Sequence, residues 1–199
     1  MDVYIENDEN FYNTIKKQIN KNNTIHFKYN NQDITNEKDI DLNKLSKDIK
    51  FKVYTVTAIN IKDIKKRYSY IYDVVCNYLD NEFTINNLCD FKNNKCISVR
   101  NKSHCSESVN GCCYGRNRGL CKHFKNNTCS IKSISCKLFT CRYLRKNGVK
   151  FKINDIVLLK YFFNFKQKLI LNNSIFKDKK EIINLLLESR NLIWQKVNY

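Results

Sequence analysis

Nine cysteines fall within 53 residues, from Cys89 to Cys141, and no other feature restricts what this chain can fold into as strongly. Their spacing is Cys89-x6-Cys96-x8-Cys105-x6-Cys112-Cys113-x7-Cys121-x7-Cys129-x6-Cys136-x4-Cys141, with His104 and His123 inside it. The surrounding stretch, residues 89–152, has neither a helical nor a strand period and holds all four glycines, Gly111, Gly115, Gly119 and Gly148. A segment without an apolar stripe must draw its order from elsewhere, and thiolates converging on a metal supply it. Glycine's tolerance of positive φ lets several sulfurs from one short segment converge.

A disulfide framework is the competing account of ten cysteines in 199 residues. It needs an oxidising compartment, and the start MDVYIENDEN lacks the basic residues and apolar run of a secretory signal. The expectation is therefore a cytoplasmic, reducing setting in which metal claims the thiols. Four thiolates complete one tetrahedral zinc site or one iron-sulfur cluster, so all nine clustered cysteines are candidate ligands for zinc or iron-sulfur, enough for two sites with one left over. No C-x2-C pair is present, which separates the pattern from zinc ribbons, RING-like modules, zinc fingers and ferredoxin-type spacing. His104 and His123 are secondary candidates, more often loop residues facing solvent. Cys76, 13 residues before the cluster, reads as a small buried hydrophobe on a helix.

The net charge of +17 is concentrated around the cysteines: residues 1–88 carry 13 basic and 13 acidic side chains, residues 89–199 carry 23 and 6. Two accounts divide it. Lys and Arg near a metal-thiolate site favour the thiolate and offset its charge, and a basic face also suits nucleic acid or another anionic partner. For nucleic acid the candidates are Arg100, Arg116, Arg118, Arg142, Arg145 and Lys146, interleaved with Tyr114, Phe124 and Tyr143. No membrane span is expected: even residues 153–171, the most apolar stretch, are interrupted by Asn154, Asp155, Lys160, Asn164, Lys166 and Lys168.

Hydrophobic periodicity predicts the flanking elements. Phe11, Tyr12, Ile15 and Ile19 recur at helical spacing, and Ile25, Phe27 and Tyr29 alternate as a strand would. Residues 30–48 read as a loop with one short helix, and Ile49, Phe51 and Val53 as a second strand pairing with the first. Ile61, Ile64, Tyr68, Ile71, Tyr72, Val75 and Leu79 predict a helix of about five turns. Asn154 and Asp155 are expected to cap one helix carrying Ile156, Leu159, Phe162, Phe163, Leu169 and Ile170. Asp178 and Glu181 resemble a capping box for a last helix carrying Ile182, Ile183, Leu185, Leu186, Leu187 and Ile193, with Trp194 and Tyr199 packing across it. No internal repeat of fixed length emerges. The expected fold class is α+β, mostly α, with an irregular cysteine-rich, metal-organised middle flanked by helices. Its expected parts are an αβ portion over 1–88, a metal-binding region over 89–152, and a helical pair over 153–199 packed on it.

The run GCCY at 111–114 and GLCKHFKNNTCSIKSISCKLFTC at 119–141 resembles the YkgJ-type cysteine-cluster family, to which zinc or iron chelation is ascribed. Cys112 and Cys113 match the family's CC pair, Cys121 with Phe124 its next element, Cys129 with Ile131 the third, and Cys136 with Phe139 the last. The closely spaced cysteines that usually precede the pair are absent here, where Cys105 stands seven positions before Cys112, and so is the family's Arg-Pro dipeptide. The resemblance implies metal chelation over residues 105–141; the same type of cluster accompanies a flagellin lysine methylase. No phosphate-cradling glycine loop, H-E-x-x-H or G-x-S-x-G element is present, so no catalytic class announces itself. The readings, in order, are a metal-binding protein, a zinc-stabilised nucleic-acid-binding protein, and an iron-sulfur-dependent modifying or redox enzyme.

Overall fold

A computed structural model describes residues 1–93, 95–101, 121, 123–125, 128–129, 133–175 and 177–191, with the backbone alone for 124–125, 128–129 and 191. In chain order the elements are β1 (Asp2–Glu6), α1 (Phe11–Gln18), β2 (Thr24–Tyr29), β3 (Gln32–Ile34), α2 (Lys47–Asn60) and α3 (Ile64–Ile85). They continue with α4 (Ile97–Arg100), β4 (Phe124–Lys125), β5 (Thr128–Cys129), α5 (Ile134–Leu138) and α6 (Arg142–Lys146). The last three are α7 (Val157–Phe162), α8 (Phe165–Asn173) and α9 (Lys179–Asn191). The fold is α+β and mostly helical. The chain forms two compact units, Met1–Ile71 with Ile156–Phe163, and Tyr72–Asp155 with Asn164–Tyr199.

The first unit is built on a three-stranded sheet in the order β1-β2-β3, with β1 and β2 parallel and β2 and β3 antiparallel. The alternation at Ile25 and Phe27 does what it predicts, burying both completely, where Phe27 meets the edge of the Phe11 ring at 5.1 Å. Strand β3 lies inside the expected loop; Asn30 and Asn31, both at positive φ, turn the chain so that Tyr29 pairs with Gln32.

The strand expected over Ile49–Val53 is instead the first half of α2. Its β-branched residues favour a strand by propensity, but Ile49, Val53, Val56 and Ile59 also recur at helical spacing and are buried together. Ser46 caps the helix by accepting from the Ile49 amide, and Asp48 pairs with Lys52 one turn on at 3.1 Å. Thr55 and Thr57 return their hydroxyls to the Phe51 and Val53 carbonyls, so burial leaves neither hydroxyl unpaired. At the end of α2 the Asn60 amide accepts from the Ile25 amide and donates to the Ile25 and Thr35 carbonyls, fastening the helix to the sheet.

Helix α3 is the longest element, its residues to Ile71 counted in the first unit and those from Tyr72 in the second, and Asp63 caps it by accepting from the Lys66 amide. Tyr72, Val75 and Leu79 are buried as their spacing predicts, and Cys76 is fully buried among them. The single helix expected after Asn154 and Asp155 is two. Those residues lie in a 3-10 turn, α7 belongs to the first unit, and α8 starts anew because Asn164 and Gln167 form a reciprocal cap of their own. Helix α9 opens on the expected box: Asp178 accepts from the Glu181 amide at 2.8 Å and Glu181 accepts from the Asp178 amide at 3.0 Å. Ile182, Ile183 and Leu186 are buried, Leu185 and Leu187 half-buried, while Ile193, Trp194 and Tyr199 lie outside the described residues. The Gln167 side chain donates to the Leu186 carbonyl, tying α8 to α9.

Candidate metal centre

The elements among the cysteines are short: α4 has four residues, α5 and α6 five each, and β4 and β5 two each. Between Cys89 and Cys141 the described apolar residues buried are Ile134 and Leu138, together with Cys96 and Cys141. Helices of one turn are not self-sustaining in water, so neighbours must hold them.

Cys89 and Cys96 flank a tight hairpin. Lys92 and Lys95 exchange both backbone hydrogen bonds at 2.9 Å around Asn93, which sits at φ 50°. The Cys89 carbonyl then accepts from the Ile97 amide at 2.9 Å, with Asp90 between at φ 37°. Arg100 braces this loop by donating to both the carbonyl and the carboxylate of Asp90. The Arg100 guanidinium, with the nearby Lys92 ammonium and the Asn87 amide, holds the Asp90 carboxyl below its usual range. Arg100, a nucleic-acid candidate by sequence, thus also has a structural partner.

Cys136 lies in α5, which is held from two sides. The Ile134 amide donates to the Tyr72 hydroxyl on α3 at 3.2 Å, the Lys137 ammonium pairs with Asp80 of α3, and the Ser135 hydroxyl donates to the Leu171 carbonyl of α8 at 2.6 Å. Burial raises the Tyr72 pKa, and the Cys76 and Cys136 sulfurs beside it raise it further, against hydrogen bonds from Ile134 and Ser133. The Tyr72 side chain is therefore held as a neutral phenol.

Cys96 and Cys141 occupy matching positions. Each precedes a short helix in extended conformation, Cys96 at φ −73° and ψ 164°, Cys141 at φ −67° and ψ 165°. The carbonyl of each accepts at 3.0 Å from the amide of the arginine four residues on, Arg100 and Arg145. Arg142, Arg145 and Lys146 are exposed on α6. Cys121 and His123 are half-buried ahead of the β4–β5 hairpin, whose second strand carries Cys129.

Cys105, Cys112 and Cys113, with His104, Arg116 and Arg118, lie outside the described residues, as does the Cys129 side chain. Among the described residues no three of His, Cys, Asp and Glu stand together as a metal-binding group. Nor, among them, does any helix have the length and apolar character to cross a membrane.

One signal escaped the sequence reading. Phe91-Lys92-Asn93-Asn94-Lys95-Cys96 and Phe124-Lys125-Asn126-Asn127-Thr128-Cys129 are near-copies, and their backbones pair alike, Lys92 with Lys95 and Lys125 with Thr128. At six residues the repeat is too short for a fixed-period search, but comparing the residues that precede each cysteine exposes it. No family model, curated protein or solved structure matches this chain.

Proposed function

We propose that this protein binds metal through the cysteines between Cys89 and Cys141, as zinc or as an iron-sulfur cluster. The observation that carries the reading is nine thiols in 53 residues whose described elements are too short to persist alone. Thiolates coordinated to metal replace the missing apolar core there, and the 23 basic residues after position 88 offset their charge. The likeness of residues 105–141 to the YkgJ-type cluster points the same way. Such thiols persist in a reducing compartment, and the reading places the protein in the cytoplasm.

The deciding experiment is elemental analysis with a visible absorption spectrum on full-length protein purified without oxygen. Zinc in whole-number ratio to chain and a colourless solution identify zinc; a brown solution that bleaches in air identifies iron-sulfur. Protein that contains neither metal and keeps its fold after exhaustive chelation overturns the proposal.

Exposed Arg142, Arg145 and Lys146 on one short helix favour a second role, binding nucleic acid on a metal-stabilised scaffold. Oligonucleotide binding that weakens steeply with salt supports it, and no binding at low salt ends it.

A further inference from the structure

The two near-copies of one hairpin suggest how the sulfurs are grouped, and this inference rests on the metal-binding reading above. We propose that Cys89 and Cys96 act as a two-thiolate knuckle holding the same thiophilic ion, and that Cys121 and Cys129 are a second such pair.

The backbone sets the first pair. Pairing of Lys92 with Lys95 places Phe91 opposite Cys96 at the next step of the ladder. The pairing stops there, because Ile97 opens α4, and the Ile97 amide bonds to the Cys89 carbonyl. Asp90, at φ 37° and with its amide turned back to the Asn87 carbonyl, makes the kink that turns the Cys89 carbonyl toward Ile97. That hydrogen bond sets the Cys89 carbonyl against the peptide that joins Cys96 to Ile97, across the base of the hairpin. Standard bond lengths on either side of that hydrogen bond hold the two Cα atoms within about 8 Å. Two sulfurs on one tetrahedral zinc are about 3.8 Å apart, within reach of cysteine side chains from such a base. The Arg100–Asp90 pair stiffens the kink at Asp90.

The second copy has Cys129 opposite Phe124, the place of Cys96 opposite Phe91. Cys121 precedes its phenylalanine by three residues where Cys89 precedes by two, so the copy is one residue longer. An Asn-Asn turn alone does not explain the match. The hairpin at Tyr29–Gln32 also has an Asn-Asn sequence, Asn30-Asn31, between its pairing residues, and there the corresponding ladder position pairs Lys28 with Asp33. The Asn-Asn sequence between pairing residues recurs in all three; the cysteine two positions after it belongs to these two copies.

Metal per chain, zinc and iron together, is measured on the full-length protein after a fixed challenge with a chelator that the unaltered chain withstands. Cys89→Ser and Cys96→Ser should lose equal amounts, and the double variant no more than either. Cys121→Ser, Cys129→Ser and their double should behave alike. Asn93→Val keeps every sulfur but puts a β-branched residue in the left-handed turn, and should release metal at a chelator concentration at least tenfold lower. Losses that add in the doubles, a single variant with full metal, or an Asn93→Val protein as retentive as the parent each overturn the pairing. An unaltered chain without metal overturns the metal-binding reading itself, so the two failures are distinguishable.

Discussion

Arg67 shows how a cation can be buried at low cost. The side chain is 8% exposed, yet its guanidinium donates to the carbonyls of Ile19, Ile59 and Ile61, at the ends of α1 and α2. Helix ends leave carbonyls unpaired and carry partial negative charge, so a positive fork there satisfies both needs. Arg67→Met removes the donors and strands the acceptors, and should lower stability by about 2–4 kcal/mol in urea unfolding. Asp90 makes the opposite case at the hairpin base. Its carboxyl is held below the ordinary value of 3.8 by Arg100, so the brace contributes fully above that pH and is lost as the pH falls through the lowered value. Amide exchange at Ile97 should accelerate in that acid window, and in Asp90→Asn it should be fast already at neutral pH.

Elements were legible where their ends are written locally. The α9 box at Asp178 and Glu181 is two residues three apart, and both hydrogen bonds form. Asp178→Ala should cost about 1 kcal/mol, measurable by thermal unfolding. Residues 47–60 were illegible because two periods coexist there: Ile49, Phe51 and Val53 alternate, while Ile49, Val53, Val56 and Ile59 step by three and four. Only packing chose between them, with α2 lying against β2 and α7 and burying more of the helical set. Propensity loses to tertiary burial in such a case. The break at Phe163 and Asn164 was hidden for a related reason. An Asn cap inside a continuous apolar run looks like a helix interior until Gln167 is seen to answer it.

For the whole molecule, the candidate ligands all fall in the second unit, while the sheet lies in the first. Chelation should therefore raise hydrogen exchange in α4, α5 and α6 by at least tenfold and leave the β1–β3 amides unchanged. Uniform exposure of both units would instead mean that they unfold as one cooperative body.

Composition and spacing alone determined that Cys89–Cys141 lacks an apolar stripe, that α3 and α9 are helices, and that Ile25 and Phe27 face a core, because each follows from a local period or a pair of near neighbours. Tertiary structure alone decided that residues 49–53 are helical, that α7 and α8 are separate helices, and that the Cys89 carbonyl meets the Ile97 amide past a kink at Asp90. Those outcomes depend on hydrogen bonds and burial between residues that no single period along the chain relates.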